Sequence, residues 1–80
     1  MSNRKLTERL NHELDSIGVP ELMLQRVQAC SKMFKLPKSR VEALLYGMST
    51  IDTKAIETIA NELDVNKDWL LGYSNEKTKH

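Results

Sequence analysis

Cysteine is almost absent from this 80-residue chain: Cys30 stands alone, so no internal disulfide can form and no cysteine zinc site can be completed. Aromatic residues are sparse, and neither Asn-Gly nor Asp-Gly occurs. With no sustained apolar–polar alternation either, the usual signals of hairpins and sheets are missing. Two prolines and three glycines are few enough to read as punctuation between helices. No apolar run approaches the ~20 residues of a membrane span, and the polar opening Met1–Lys5 does not start a secretory leader. His12 and His80 lie far apart, which argues against a metal site built on histidine. Nothing resembles a nucleophile with its base, a phosphate-binding glycine loop or a cofactor motif. The expectation is one non-enzymatic domain in a reducing cytoplasm, with no metal, cofactor, membrane contact or small-molecule ligand.

What remains is helical grammar. Leu6, Leu10, Leu14 and Ile17 recur every three or four residues, predicting a first helix from Asn3 to Ile17 with one buried face. Gly18 supplies a left-handed stop, with Val19 packing back on Leu14. A second helix is expected between Pro20 and Phe34, its apolar stripe formed by Leu24, Val27, Cys30, Met33 and Phe34; residues 20–24 read either as its first turn or as an irregular turn before a later start. Pro37 breaks that helix by excluding helical geometry at Leu36 and opens a third, running to Tyr46 and stopping at Gly47. Val41 and Leu44 face inward; Lys38, Ser39, Glu42 and Ala43 fall on the other side. After a loop at Met48–Ile51, Asp52 caps a fourth helix, Thr53–Leu63, with Ile51 and Ile56 as a hydrophobic staple. The pattern repeats at Asn66, flanked by Val65 and Leu70, for a short fifth helix ended by Gly72. The fold expected is all-α, with a domain over residues 1–73 and a flexible polar tail over 74–80.

Net charge is only +1, but its distribution is uneven. Residues 22–41 carry Arg26, Lys32, Lys35, Lys38 and Arg40 with no acid, whereas residues 42–68 carry six acids against Lys54 and Lys67. A basic block within a mildly acidic chain suits phosphates, although it also suits a solvated surface.

Five short helices with a tight break between the second and third suggest a helix-turn-helix domain. The segment Ser31–Gly47 resembles that element in the phage lambda-repressor and Cro-like (Xre-type) superfamily: a small residue, Ser31, precedes the turn, apolar Val41 lies within the next helix and Gly47 follows it. The ending Ile59–Gly72 is similar to the family's closing helices. The chain departs from the pattern at Lys35, where glycine is common, at Pro37, where a serine or threonine cap is common, and at Val27, where glutamine is usual. The stretch between Gly18 and Ser31 is also longer than usual.

The resemblance implies a sequence-specific transcriptional regulator that binds double-stranded DNA as a homodimer, with the helix around residues 37–46 in the major groove. Carried across position by position, Lys38, Ser39, Glu42 and Ala43 would meet base edges. Arg26, Gln28, Lys32, Lys35 and Arg40 would meet phosphates, and Trp69, Leu70 and Tyr73 would form the dimer surface. A domain of this size buries only about 60–65% of its unfolded surface, so a partner subunit would add needed stability. The competing reading is an adaptor of the same fold, anti-repressor or antitoxin-like, working through protein contact. The apolar run Ala43–Tyr46, the missing polar cap at Pro37 and the weak net charge favour it. Leu45 and Tyr46 read equally as core or as interface. Trp69 and Cys30 read as core, and His12 as surface.

Overall fold

A computed structural model describes residues 4–47 and 53–78. The expected Asn3 start of the first helix, the Met48–Ile51 loop, the Asp52 cap with its Ile51 staple, and His80 lie outside the described residues. Among those described, the chain is all-helical, with α1 at Arg4–Ser16, α2 at Met23–Phe34, α3 at Lys38–Tyr46, α4 at Thr53–Leu63 and α5 at Lys67–Leu71. None of these helices is long and apolar enough to cross a membrane.

The apolar periodicities converge on one core. Leu6, Leu10 and Leu14 of α1 meet Val27, Cys30 and Phe34 of α2, Val41, Leu44 and Leu45 of α3, Ile56 and Ile59 of α4, and Leu70 of α5. Two expected members are missing. Ile17 lies past the end of α1 and is 56% exposed; Leu24 is 74% exposed. Met23 takes the inward place one turn before Val27 and packs against the core instead.

The second helix begins at Met23, so residues 20–22 form the irregular turn, the alternative to an earlier start. Val19 donates to Leu14 O at 3.0 Å and Gly18 to Asp15 O at 3.2 Å, the paired bonds of a left-handed stop with Gly18 at φ 82°. Pro20 then stays in the connection, because its carbonyl and that of Val19 accept from the Arg26 guanidinium rather than from a helix backbone.

The α2–α3 connection is short and tightly bonded. Lys35 is left-handed, at φ 55° and ψ 45°, and its N–H donates to Ser31 O. Leu36 N–H also donates to Ser31 O, at 3.2 Å, while Ser31 Oγ donates to Leu36 O at 2.6 Å. A small side chain at 31 thus lets the turn fold back over α2. At the other end of α3, α1 satisfies its last carbonyls, which have no partner inside the helix. Thr7 Oγ1 donates to Leu44 O at 3.2 Å, and Asn11 Nδ2 donates to Leu45 O at 3.3 Å. Gly47 is required here: a Cβ would stand 2.9 Å from Thr7 Oγ1, and φ is 74°. α1 therefore grips one end of α3 and the turn grips the other, so the outward face of α3 is held at a fixed tilt.

The segment expected to be a flexible tail is tied down over Ser74–Lys77. Arg9 Nη1 donates to Ser74 O at 2.9 Å and to Trp69 O, and Asn66 N–H donates to Lys77 O at 2.8 Å. Both Arg9, 4.8 Å from its centroid, and Lys77, at 5.7 Å, lie over the Trp69 ring. Glu13 sits on the buried side of α1, and its Oε2 receives no directed hydrogen bond; the Lys77 ammonium at 2.9 Å neutralises it. The polar composition of 74–80 hid this docking, which uses backbone carbonyls and cation–ring contacts rather than apolar side chains.

Candidate nucleic-acid interface

The two faces of α3 differ sharply. Val41, Leu44 and Leu45 are buried, while Lys38, Ser39, Arg40 and Glu42 are exposed and Ala43 is half-buried. Three of the four residues expected to face bases thus stand in solvent, with Ala43 at their edge. Pro37 precedes the helix without a side-chain cap; its carbonyl accepts from Arg40 N–H at 3.0 Å and Val41 N–H at 3.1 Å. The ambiguity at Leu45 and Tyr46 divides: Leu45 is core, and Tyr46 is 52% exposed.

The cations of the basic block separate into two kinds. Lys32, Lys35 and Lys38 are exposed and form no ion pair among the described residues, and Gln28 is exposed beside them. Arg40 is exposed on the flank of α3. Arg26, expected to meet a phosphate, is 3% exposed and serves the fold. Its Nε donates to Pro20 O at 2.8 Å, Nη1 to Asn11 Oδ1 at 3.0 Å, and Nη2 to Val19 O at 3.0 Å and to Asp15 Oδ1. The planar fork of arginine suits this many acceptors at fixed angles, and none of its donors remains for DNA.

Two hollows lie along the α2–α3 face. One, of about 250 Å³, is lined by Gln28, Ser31, Lys32 and Lys38. The other, also about 250 Å³, is lined by Met23, Leu24, Val27, Gln28, Lys38, Glu42 and Tyr46. The second is mainly apolar, with exposed Leu24 and Tyr46 in its lining. The sequence offered Tyr46 as an interface residue but not Leu24, which fits a helical stripe as well as Met23 does.

The expected dimer surface is altered. Leu70 is fully buried in the core and cannot meet a partner. Trp69 is half-buried with Arg9 and Lys77 over its ring, and Tyr73 alone of the three is exposed. Cys30 is a buried free thiol. Burial pushes its pKa up, an effect that the Arg26 charge partly offsets. His12 lies on the surface of α1. Compared with protein-family models, curated proteins and solved structures, the chain matches none.

Proposed function

We propose that this chain is a sequence-specific DNA-binding regulator of transcription, a lambda-repressor-like helix-turn-helix domain that lays α3 in the major groove. The observation that carries the reading is the exposed polar face of a short helix held at both ends, flanked by Lys32, Lys35 and Lys38, which form no ion pair among the described residues. In that groove Glu42 accepts from cytosine N4, Ala43 touches a thymine methyl and Ser39 bonds either kind of edge group. Lys32 and Lys35 meet phosphates, and Arg40 reaches one from the flank. A single domain offers few base contacts, so two copies on a repeated half-site raise both affinity and specificity. Tyr73, exposed at the end of α5, is the remaining candidate for the contact between copies.

The adaptor reading retains one specific support. Leu24 and Tyr46 expose apolar area beside the very helix that would enter the groove. Gel-shift titration against genomic fragments at two salt concentrations separates the readings. Fragment-selective, steeply salt-sensitive retention supports the regulator, and no retention even at low salt supports the adaptor. Selection from random oligonucleotides then tests symmetry through the appearance of a palindrome. On a selected site, Glu42→Gln should relax the preference at one base pair and weaken binding by about 1–3 kcal/mol.

A further inference from the structure

Lys32 on the last turn of α2 and Lys38 on the first turn of α3 line the same hollow, with Gln28 and Ser31 between them. The lining residues are two lysines, a glutamine and a serine, with no acid among them. Glu42, one turn beyond Lys38, makes no ion pair with it. The Ser31 hydroxyl gives its proton to Leu36 O, which fixes the turn and so the spacing of the two lysine-bearing helix ends. Two lysines bordering one acid-free concavity suit a tetrahedral anion, whose oxygens point in several directions, better than the flat edge of a base. In a helix-turn-helix complex the helix before the reading helix crosses the sugar–phosphate backbone, so a hollow between the two faces a strand rather than the base stack.

We infer that this hollow seats a single phosphate: Lys32, Lys38 and Gln28 together take one phosphodiester of the DNA backbone. The inference rests on the DNA-binding reading and deepens it. Lys38 becomes a residue that positions the domain, and Ser39, Glu42 and Ala43 are left to read sequence.

The test uses the full chain in two arms. In the first, inorganic phosphate is titrated at constant ionic strength and followed by ¹H–¹⁵N NMR. The Gln28 side-chain amide and the backbone amides of Ser31, Lys32 and Lys38 should shift, and Lys32→Gln or Lys38→Gln should abolish the response. Both side chains are exposed, so the rest of each spectrum reports an unchanged fold. In the second arm, the variants are measured on selected and unrelated duplexes across a salt series. Each single variant should weaken binding about tenfold on every sequence alike. The double variant should flatten the log–log salt slope by about 0.9, the value for one phosphate, not two. No phosphate response, or one that survives both substitutions, overturns the seat. So does a change of preferred base with Lys38→Gln but not with Lys32→Gln, an outcome that leaves the regulator reading intact. A chain that binds no duplex at all sinks the regulator reading instead, and the phosphate titration still decides the hollow.

Discussion

Arg26 and Lys32 stand on the same helix, in the same acid-free stretch of sequence, and do opposite things. Arg26 is buried, with its guanidinium bonded to the Pro20 and Val19 carbonyls, to Asn11 and to Asp15. Lys32 is exposed and unpaired among the described residues. A basic block therefore measures two quantities at once: charge consumed in closing the fold, and charge left for a ligand. Geometry separates them. Gly18 and Pro20 turn the chain so that several carbonyls face inward near α2, and a buried arginine is the side chain with enough donors to satisfy them. No such carbonyls surround the α2–α3 turn, where Ser31 and Lys35 already close the backbone bonds.

Arg26→Ala is the strongest way to break this contrast. It leaves several part-buried acceptors without their donor, and because the Asp15 carboxylate is half exposed the loss should fall below that of a fully buried pair, at about 2–4 kcal/mol in urea unfolding. Lys32→Ala should change the midpoint by less than about 0.5 kcal/mol. A folded Arg26→Ala chain with an unshifted midpoint would return Arg26 to the pool of DNA contacts. The next largest effect concerns the docked C-terminal stretch. Lys77→Ala leaves the buried Glu13 carboxylate unneutralised. Because the Lys77 side chain is half exposed, the loss should be about 1–2 kcal/mol, below that of a fully buried pair. Hydrogen exchange at the Asn66 amide, which donates to Lys77 O, should accelerate in parallel. Exchange unchanged from wild type would mean that the stretch is held without the ion pair.

The five helices were legible because each carries its own periodicity and its own stop. Leu6, Leu10 and Leu14 mark the buried face of α1, and Asn66 and Gly72 bracket α5 with the bonds expected of them. The outward residues of α3 were legible for the same reason. The fate of individual polar groups was not. Glu13 follows Leu10 by three residues and so falls on the buried stripe, which was a readable sign of a buried carboxylate. Its partner, however, lies far along the chain at Lys77, where no local pattern points. Arg26 likewise depends on carbonyls whose direction is set only once the turn has formed. Leu24 and Met23 are adjacent and chemically alike, so only the packing of α2 decides which one is exposed.

Lys35→Gly sharpens the contrast from the other side. Lys35 holds a left-handed conformation that a lysine adopts at a cost of roughly 1–2 kcal/mol and glycine without steric strain. Glycine's greater freedom in the unfolded chain offsets part of that gain, so the variant should be more stable by about 0.5–1 kcal/mol. If Lys35 also meets a phosphate, duplex binding should weaken while the fold strengthens, with the salt slope reduced by about 0.9. Loss of both together would show that the side chain supports the turn rather than a ligand.

The smallest expected effect is a dependence on pH through Cys30. Burial raises the pKa of this thiol in the folded chain, so the unfolded chain releases its proton first as pH rises. The unfolded state then binds fewer protons than the folded one, and stability falls with increasing pH. The decline should begin near the ordinary thiol value of about 8.5 and end once the folded thiol ionises too. Below that window the contribution is complete and constant. Urea midpoints measured between neutral and alkaline pH should therefore drift downward in the wild type. Cys30→Ala should lower the whole curve through lost packing yet abolish the drift at its onset. A drift that persists in Cys30→Ala would assign it to other groups and leave the thiol as packing alone.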